Sequence, residues 1–428
     1  MVSSVLQHES HLHLYGCLDA KSLWAITEER SRAYATRFHW FLSEYERVTG
    51  RKPDPKRWWT GEEQGFAEFK SIYICDRPVS FDLFQAKFNL LIALFPPNPH
   101  ELWLPNAVFS HHAIQGGYKE YRTFLPLYLP ANERAKYLQN IIELAQRYET
   151  SSYHPRIAIS LMRNNAEAWE GYRFLRQFLD KHQNLAPMVT GIDFCASEQG
   201  HPPRTKKDLF HHVRADNAQR SHELEILYHV GEMWQDISIA SAARWCAEAS
   251  ALGAHRLGHA LALGMDVSSI GGGKIRETKL EADEHLAWIR NHLGDLQESG
   301  FGPNDYQWLS ERKESLTKGD FVDWSYDDDL IDHTSRFQDA AIAMVAKNNP
   351  IVECCPTSNI RIGNLKNSRH HPLRRFLANN LRVVVSTDDP GVFAISLRDE
   401  ERLLKKDFQL SDQALVTMNQ TCLKIFET

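Results

Sequence analysis

Apolar runs that stop abruptly at polar residues recur along this 428-residue chain. Eight segments have strand character, centred on residues 9–14, 117–124, 157–162, 189–194, 224–229, 254–258, 351–355 and 382–387. The last, Leu381-Arg-Val-Val-Val-Ser-Thr-Asp388-Asp389-Pro390-Gly, is a β-branched run typical of a fully buried strand; two acids end it and Pro-Gly stops it. Between strands the apolar positions take helical spacing, as in residues 132–148, 165–181, 242–252 and 280–296. Strand and helix in alternation predict a parallel sheet covered by helices. Eight such units with polar residues at the strand ends predict an α/β fold, a (β/α)8 TIM barrel whose active site lies at that face. An open doubly wound sheet is the alternative architecture, but no glycine-rich phosphate turn follows the first strand.

Two long stretches break the pattern, one after strand 1 and one between strands 6 and 7. Residues 20–115 are aromatic-rich, contain Pro96-Pro97-Asn98-Pro99, and are expected to form helices that flank or cap the barrel mouth. Residues 261–345 are too long for an ordinary connection. Their Gly271-Gly-Gly-Lys274 lacks the spacing of a phosphate loop and reads as a flexible loop. The run Asp327-Asp-Asp-Leu-Ile-Asp332 reads as a solvated face. This stretch is expected to cover the site or to form a contact between copies in a homo-oligomer. The whole chain, 1–428, is expected to be one barrel domain carrying these two insertions.

Composition narrows the function classes. A 43% hydrophobic content supplies a large core, and a formal charge of −6 offers no attraction for nucleic acid or an anionic membrane. Seven cysteines, an odd number with Cys354 and Cys355 adjacent and no CxxC pair, argue against a disulfide framework and a zinc knuckle. The opening residues Met-Val-Ser-Ser-Val-Leu-Gln-His have neither a basic region nor an apolar stretch, and no run reaches membrane-span length. A cytoplasmic location is expected.

The candidate chemistry sits where strands give way to loops. His11 and His13, two apart on a strand, project to one face, and imidazole is a favoured ligand of zinc and its neighbours. His229-Val-Gly-Glu232, Arg256-Leu-Gly-His259 and Ser386-Thr-Asp388-Asp389 repeat the arrangement at other strand ends. Buried strands ending in His and Asp are costly unless those groups are hydrogen-bonded or hold something. His211-His212 and His370-His371 read as surface residues, and Cys354 and Cys355 as packing within a strand. Two readings stand for Arg163, a reach into the pocket or a salt bridge.

Taken in order, His11-x-His13-x-x-Gly16, His229-x-Gly-Glu232, Arg256-Leu-Gly-His259 and Ser386-Thr-Asp388-Asp389-Pro390 resemble the adenosine deaminase family of metal-dependent aminohydrolases. Weaker echoes are Gly191-Ile-Asp-Phe-Cys-Ala196-Ser-Glu198, Val352-Glu-Cys-Cys-Pro356-Thr-Ser-Asn359 and residues 419–426. The likeness runs from residue 9 to 426, with almost none in 20–115 and 261–345. It implies hydrolytic deamination of adenosine or a closely related adenine nucleoside or nucleotide, a small-molecule purine substrate. It also implies one zinc ion per chain on His11, His13, His229 and Asp388. Glu232 would protonate a ring nitrogen, His259 would orient or deprotonate the attacking water, and Asp389 and the N–H near Ala196 would hold other ring nitrogens.

Two positions depart from the family pattern. Tyr15 stands where these enzymes usually carry an acid that contacts the sugar's 5′-hydroxyl, and Ala196 replaces a glycine. Better tolerance of 5′-deoxy or 5′-phosphorylated adenosines is therefore expected. Another metal hydrolase on the same barrel, or a catalytically inactive binding member, are the alternatives; Glu232 discriminates, because ester hydrolysis has no need of that acid. Deaminases with the H-x-E and P-C-x-x-C signatures and serine hydrolases with G-x-S-x-G are excluded by the missing motifs.

Overall fold

All eight expected strands join one parallel sheet in the computed structural model, which describes residues 4–28, 35–60, 63–94, 98, 100–363 and 365–427. In chain order the strands are β1 (Glu9–His13), β2 (Gly117–Phe124), β3 (Tyr153–Ser160), β4 (Val189–Phe194), β5 (Glu225–Val230), β6 (Arg256–His259), β7 (Lys274–Thr278), β8 (Thr317–Lys318), β9 (Phe321–Ser325), β10 (Ile351–Cys354) and β11 (Arg382–Val385). The barrel takes them as β1-β2-β3-β4-β5-β6-β10-β11. Its last seam is closed by backbone bonds from His13 N to Asp388 O at 2.9 Å and from Asp388 N to His11 O at 3.2 Å. The same two bonds draw the first and last site segments together. The fold is a (β/α)8 barrel.

Every residue of β6 and β10 is buried, as strands covered by helices outside and by one another inside must be. The strand β3 starts four residues before the apolar run that marks it and passes through Pro155. Its pairing with β4 begins only at Ile157, so Pro155 lies where one edge of β3 has no ladder to supply.

Between β1 and β2 the chain forms helices over Ala20–Glu28, Ala35–Thr49, Glu63–Tyr73, Phe81–Leu94 and Trp103–Ala113. Trp58 is fully buried among Phe38, Phe41 and Phe69, which accounts for the aromatic content of this stretch. Pro96, Pro97 and Pro99 lie outside the described residues.

The stretch between β6 and β10 is not helical throughout. There β7, β9 and β8 form a small antiparallel sheet. Gly271–Gly273 is not a loose loop: Gly272 N donates to Tyr326 O at 2.9 Å, and Tyr326 N returns a bond to Gly273 O at 3.0 Å. The predicted helix over 280–296 divides at His292 into Lys279–Asn291 and Leu293–Glu298. The exposed acids Asp327–Asp329 begin the helix Asp328–Asn348, with Asp327 capping Leu330 N. No helix among the described residues is long and apolar enough to cross a membrane.

Candidate active site

Barrel closure brings His11 and His13 from β1, His229 from β5, His259 from β6 and Asp388 from just beyond β11 to one mouth. The ring centroid of His11 lies 5.5 Å from that of His13, 4.7 Å from that of His229 and 4.9 Å from that of His259. Asp388 Oδ1 is 3.2 Å from His13 Nε2 and 3.7 Å from His11 Nε2. It is buried and makes no hydrogen bond, whereas its other oxygen accepts from Ser358 Oγ at 2.7 Å.

The far nitrogens of two of these rings are held from behind. His11 Nδ1 meets Glu353 at 3.1 Å, and His229 Nδ1 meets Asp193 at 3.0 Å, which turns both Nε2 atoms toward the centre. Arg122 on β2 ties the two carboxylates together through its contacts with Glu353 and with Asp193 at 3.3 Å. Arg256 adds a second buried cation, bonded to Glu353 at 2.9 Å and to Glu120 at 2.6 and 2.9 Å. Charges this deep are tolerable only when they are paired and hydrogen-bonded. Convergent imidazoles with bonded back faces, around an unpartnered buried carboxylate oxygen, fit a divalent metal ion. Ligand atoms of His11, His229 and His259, and those of His11, His13 and Asp388, fall into sets within 4.8 Å. Cys355 Sγ belongs to a third set with His259 and Asp388.

Electrostatics separates the groups by role. Burial disfavours the charged form of His13, but the close contact with Asp388 Oδ1 and the charges of Asp389 and Asp388 win and raise its pKa to about 9. A bound ion would displace that proton. Burial, then Arg122, holds His11 well below the usual imidazole range; burial brings His259 down to about 3. Glu232 is pushed well above the carboxylate range by burial and by Asp388, Glu198 and Asp389, and its Oε1 is buried without a hydrogen bond. Asp389 is likewise raised, by burial and by its neighbour Asp388. Burial and mutual repulsion thus favour the protonated form of two acids beside the His11, His229 and His259 imidazoles, whose neutral forms burial favours.

The backbone is contorted where these groups emerge. Ala196, His259 and Asp388 have φ of 67°, 63° and 65°, a left-handed conformation that non-glycine residues adopt at a cost of ~1–2 kcal/mol each. Gly16 has no such latitude to lose a hydrogen: a Cβ there would lie 1.7 Å from Asp389 Oδ1.

Tyr15 lines a cavity of about 680 Å³, within the size range of small-molecule sites, that opens from His13 and Arg122. Phe88, Leu104, Leu125, Tyr128 and Met162 make most of its wall apolar, with Arg37, Glu101 and Glu167 as charged members. No residue of 261–345 is among the described residues lining it. The Tyr15 hydroxyl meets that of Tyr137 at 2.6 Å.

The nine singled-out residues lie in or just beyond the C-terminal parts of the barrel strands, and Ala196 is exposed. Two expectations fail. His371 is not a surface residue; it is buried and bonded to Asn359 at 3.0 Å. Arg163 makes neither of the contacts anticipated for it, since it donates to the carbonyls of Phe194, Cys195, Ala196 and His229 and so ties β4 to β5. Arg122, Asp193, Glu198, Glu353 and Asn359 went unassigned; charged residues inside strands that must be buried were the signal for the first, second and fourth.

The adenosine deaminase family model matches residues 325–425, a stretch that includes Glu353, Asn359, Asp388 and Asp389. The adenosine deaminase of Plasmodium gallinaceum is 37% identical over 73 residues, 17% of this chain and 20% of that protein. That of Shewanella loihica is 36% identical over 76 residues, 18% of this chain and 23% of that protein. The matched stretch thus spans about a fifth of the length of these relatives. An adenine deaminase structure from Arthrobacter aurescens superposes over 99% of this chain and 94% of its own, with a TM-score of 0.56 and 16% identity. An amidohydrolase structure with bound Zn covers 99% of this chain and 88% of its own at a TM-score of 0.58 and 13% identity. The chain is thus similar to the adenosine deaminase family over its C-terminal segment and shares the barrel fold of these structures along its whole length.

Proposed function

We propose that this protein is a zinc-dependent aminohydrolase that replaces the amino group of an adenine nucleoside or nucleotide by oxygen and releases ammonia. The observation that carries this reading is the meeting of a metal-competent donor set with a buried acid, Glu232, whose unbonded Oε1 lies beside it and whose protonated form burial favours. His11, His13, His229 and Asp388 would hold the ion, one per chain, and imidazole donors favour zinc. When bound, the ion supplies Lewis-acid activation of water near neutral pH.

The residues of this chain do the rest. Glu232 delivers its proton to the ring nitrogen next to the amino-bearing carbon, which weakens that ring's resistance to attack. Water adds to the carbon and gives a proton to the Glu232 carboxylate just formed; Glu232 passes that proton to the amino nitrogen, the carbon–nitrogen bond breaks, and ammonia leaves. Protonated Asp389 donates to a second ring nitrogen, and the N–H near Ala196 serves a third. His259, 3.6 Å from Glu232, orients the attacking water. Across the purine from the reacting carbon, the sugar projects into the cavity beside Tyr15. An intracellular, cytoplasmic setting belongs to the same proposal, in keeping with seven unpaired and buried cysteines.

Ammonia release from a panel of adenine bases, nucleosides and nucleotides tests the reading. Turnover of an adenine compound to its oxo product supports it; turnover of esters or amides alone would transfer the site to a different hydrolase.

A further inference from the structure

A file of hydrogen bonds runs from the backbone at Leu373 to the ring of His259. Leu373 N–H can only donate, and it reaches His371 Nδ1 at 3.1 Å. That nitrogen is therefore bare, and the neutral ring carries its proton on Nε2. Nε2 lies 3.0 Å from Asn359 Oδ1, so the imidazole donates and the amide oxygen accepts. This contact settles which way the amide faces, because the opposite orientation would set N–H against N–H. Asn359 Nδ2, which can only donate, then lies 2.9 Å from His259 Nδ1. His259 Nδ1 is bare in turn, and its proton sits on Nε2, facing the cluster. All three side chains are buried, so no surface water competes for these contacts.

We infer that His371 and Asn359 are positioning residues that set the tautomer of His259, so that it meets the site as a hydrogen-bond donor rather than a proton acceptor. An Nε2–H aimed at the attack position can hold a lone pair of the incoming water and stays to stabilise oxygen charge on the tetrahedral centre. It cannot take the water's proton while it carries its own. The tautomer itself is independent of the reaction proposed above; only its kinetic consequence rests on that reading.

The test is nitrogen NMR on histidine-15N-labelled, zinc-loaded protein, with the His259 signals assigned by their loss in His259→Gln. The wild type is expected to show a bare Nδ1 and a protonated Nε2. Asn359→Asp replaces the amide donor by a carboxylate of the same shape, and should move the His259 proton to Nδ1 while zinc content is unchanged. His371→Phe frees the amide to turn, and should produce a second, Nδ1-protonated population; this variant decides the matter should Asn359→Asp not fold. A protonated Nδ1 in the wild type, or an Nε2–H tautomer retained in both variants, overturns the inference. With an adenine substrate, Asn359→Asp should lose about tenfold or more in kcat with little change in KM. Loss of kcat without the NMR change would mark a merely structural role and also overturns it. If no adenine compound turns over, the proposed reaction falls while the NMR result still decides the tautomer.

Discussion

Glu198 holds the backbone of Glu232: its Oε1 accepts the Glu232 amide at 2.9 Å, and its other oxygen accepts the Gly231 amide at 2.7 Å. The Met233 amide adds a third bond at 3.2 Å. One buried carboxylate therefore pins the turn that presents the proposed acid, and its charge also helps to keep that acid protonated.

Glu198→Gln should lower kcat and move its alkaline limb to lower pH by about one unit. The sign follows from the raised pKa of Glu232. The active form is the protonated one, present below the folded pKa and lost as pH rises through it; removing a neighbouring negative charge brings that pKa down. A pH profile of kcat checks this, and a limb that stays in place contradicts it.

Glu232→Gln should bind metal like the wild type and lose about 10²–10⁴ in kcat, because an amide cannot supply the proton. Metal analysis and steady-state kinetics on the same preparation separate the two effects. Near-normal turnover would remove Glu232 from the mechanism.

Asp193→Asn should weaken metal binding by about 10–100-fold, since the carboxylate behind His229 Nδ1 loses its charge while the shape is kept. Competition with a chromophoric chelator measures it. Unchanged affinity would show that Asp193 serves only its ion pair with Arg122.

Much of this site was legible in the sequence because each barrel strand announces itself twice, by an apolar run and by the polar residue that ends it. His11, His229, His259 and Asp388 were found by that break. The supporting groups were hidden for the complementary reason. Glu353 and Asp193 lie inside strands, where a charge reads as an interruption until a partner is found; Arg122 is that partner, on a strand far away in sequence. His371 looked like half of a surface pair because nothing local marks its burial beneath Asn359. The antiparallel β7–β9–β8 sheet was readable from alternation, since its two main strands expose and bury residues in turn. It was obscured by Gly271–Gly273, which looks like a loop and instead enters a strand through bonds to Tyr326.

Tyr15 bears on substrate choice. Its hydroxyl is engaged with Tyr137 beside a mostly apolar wall, so Tyr15 itself offers no carboxylate to a 5′-hydroxyl. Of the two kinds of analogue expected from the sequence, the 5′-deoxy compound suits that wall better than the 5′-phosphate. Tyr15→Asp should shift the ratio of kcat/KM for adenosine over 5′-deoxyadenosine toward adenosine by about tenfold. A ratio that does not move would mean that Tyr15 does not read the sugar.

If the four-residue donor set holds one ion, adenine deamination depends on it. Ammonia release from an adenine nucleoside should be followed while zinc is added to metal-stripped protein. Release should be absent without metal, rise linearly with added zinc, and break at one ion per chain, a break that disappears in His229→Ala. Full ammonia release from metal-stripped protein, or none at any zinc level from any adenine compound, would contradict this expectation.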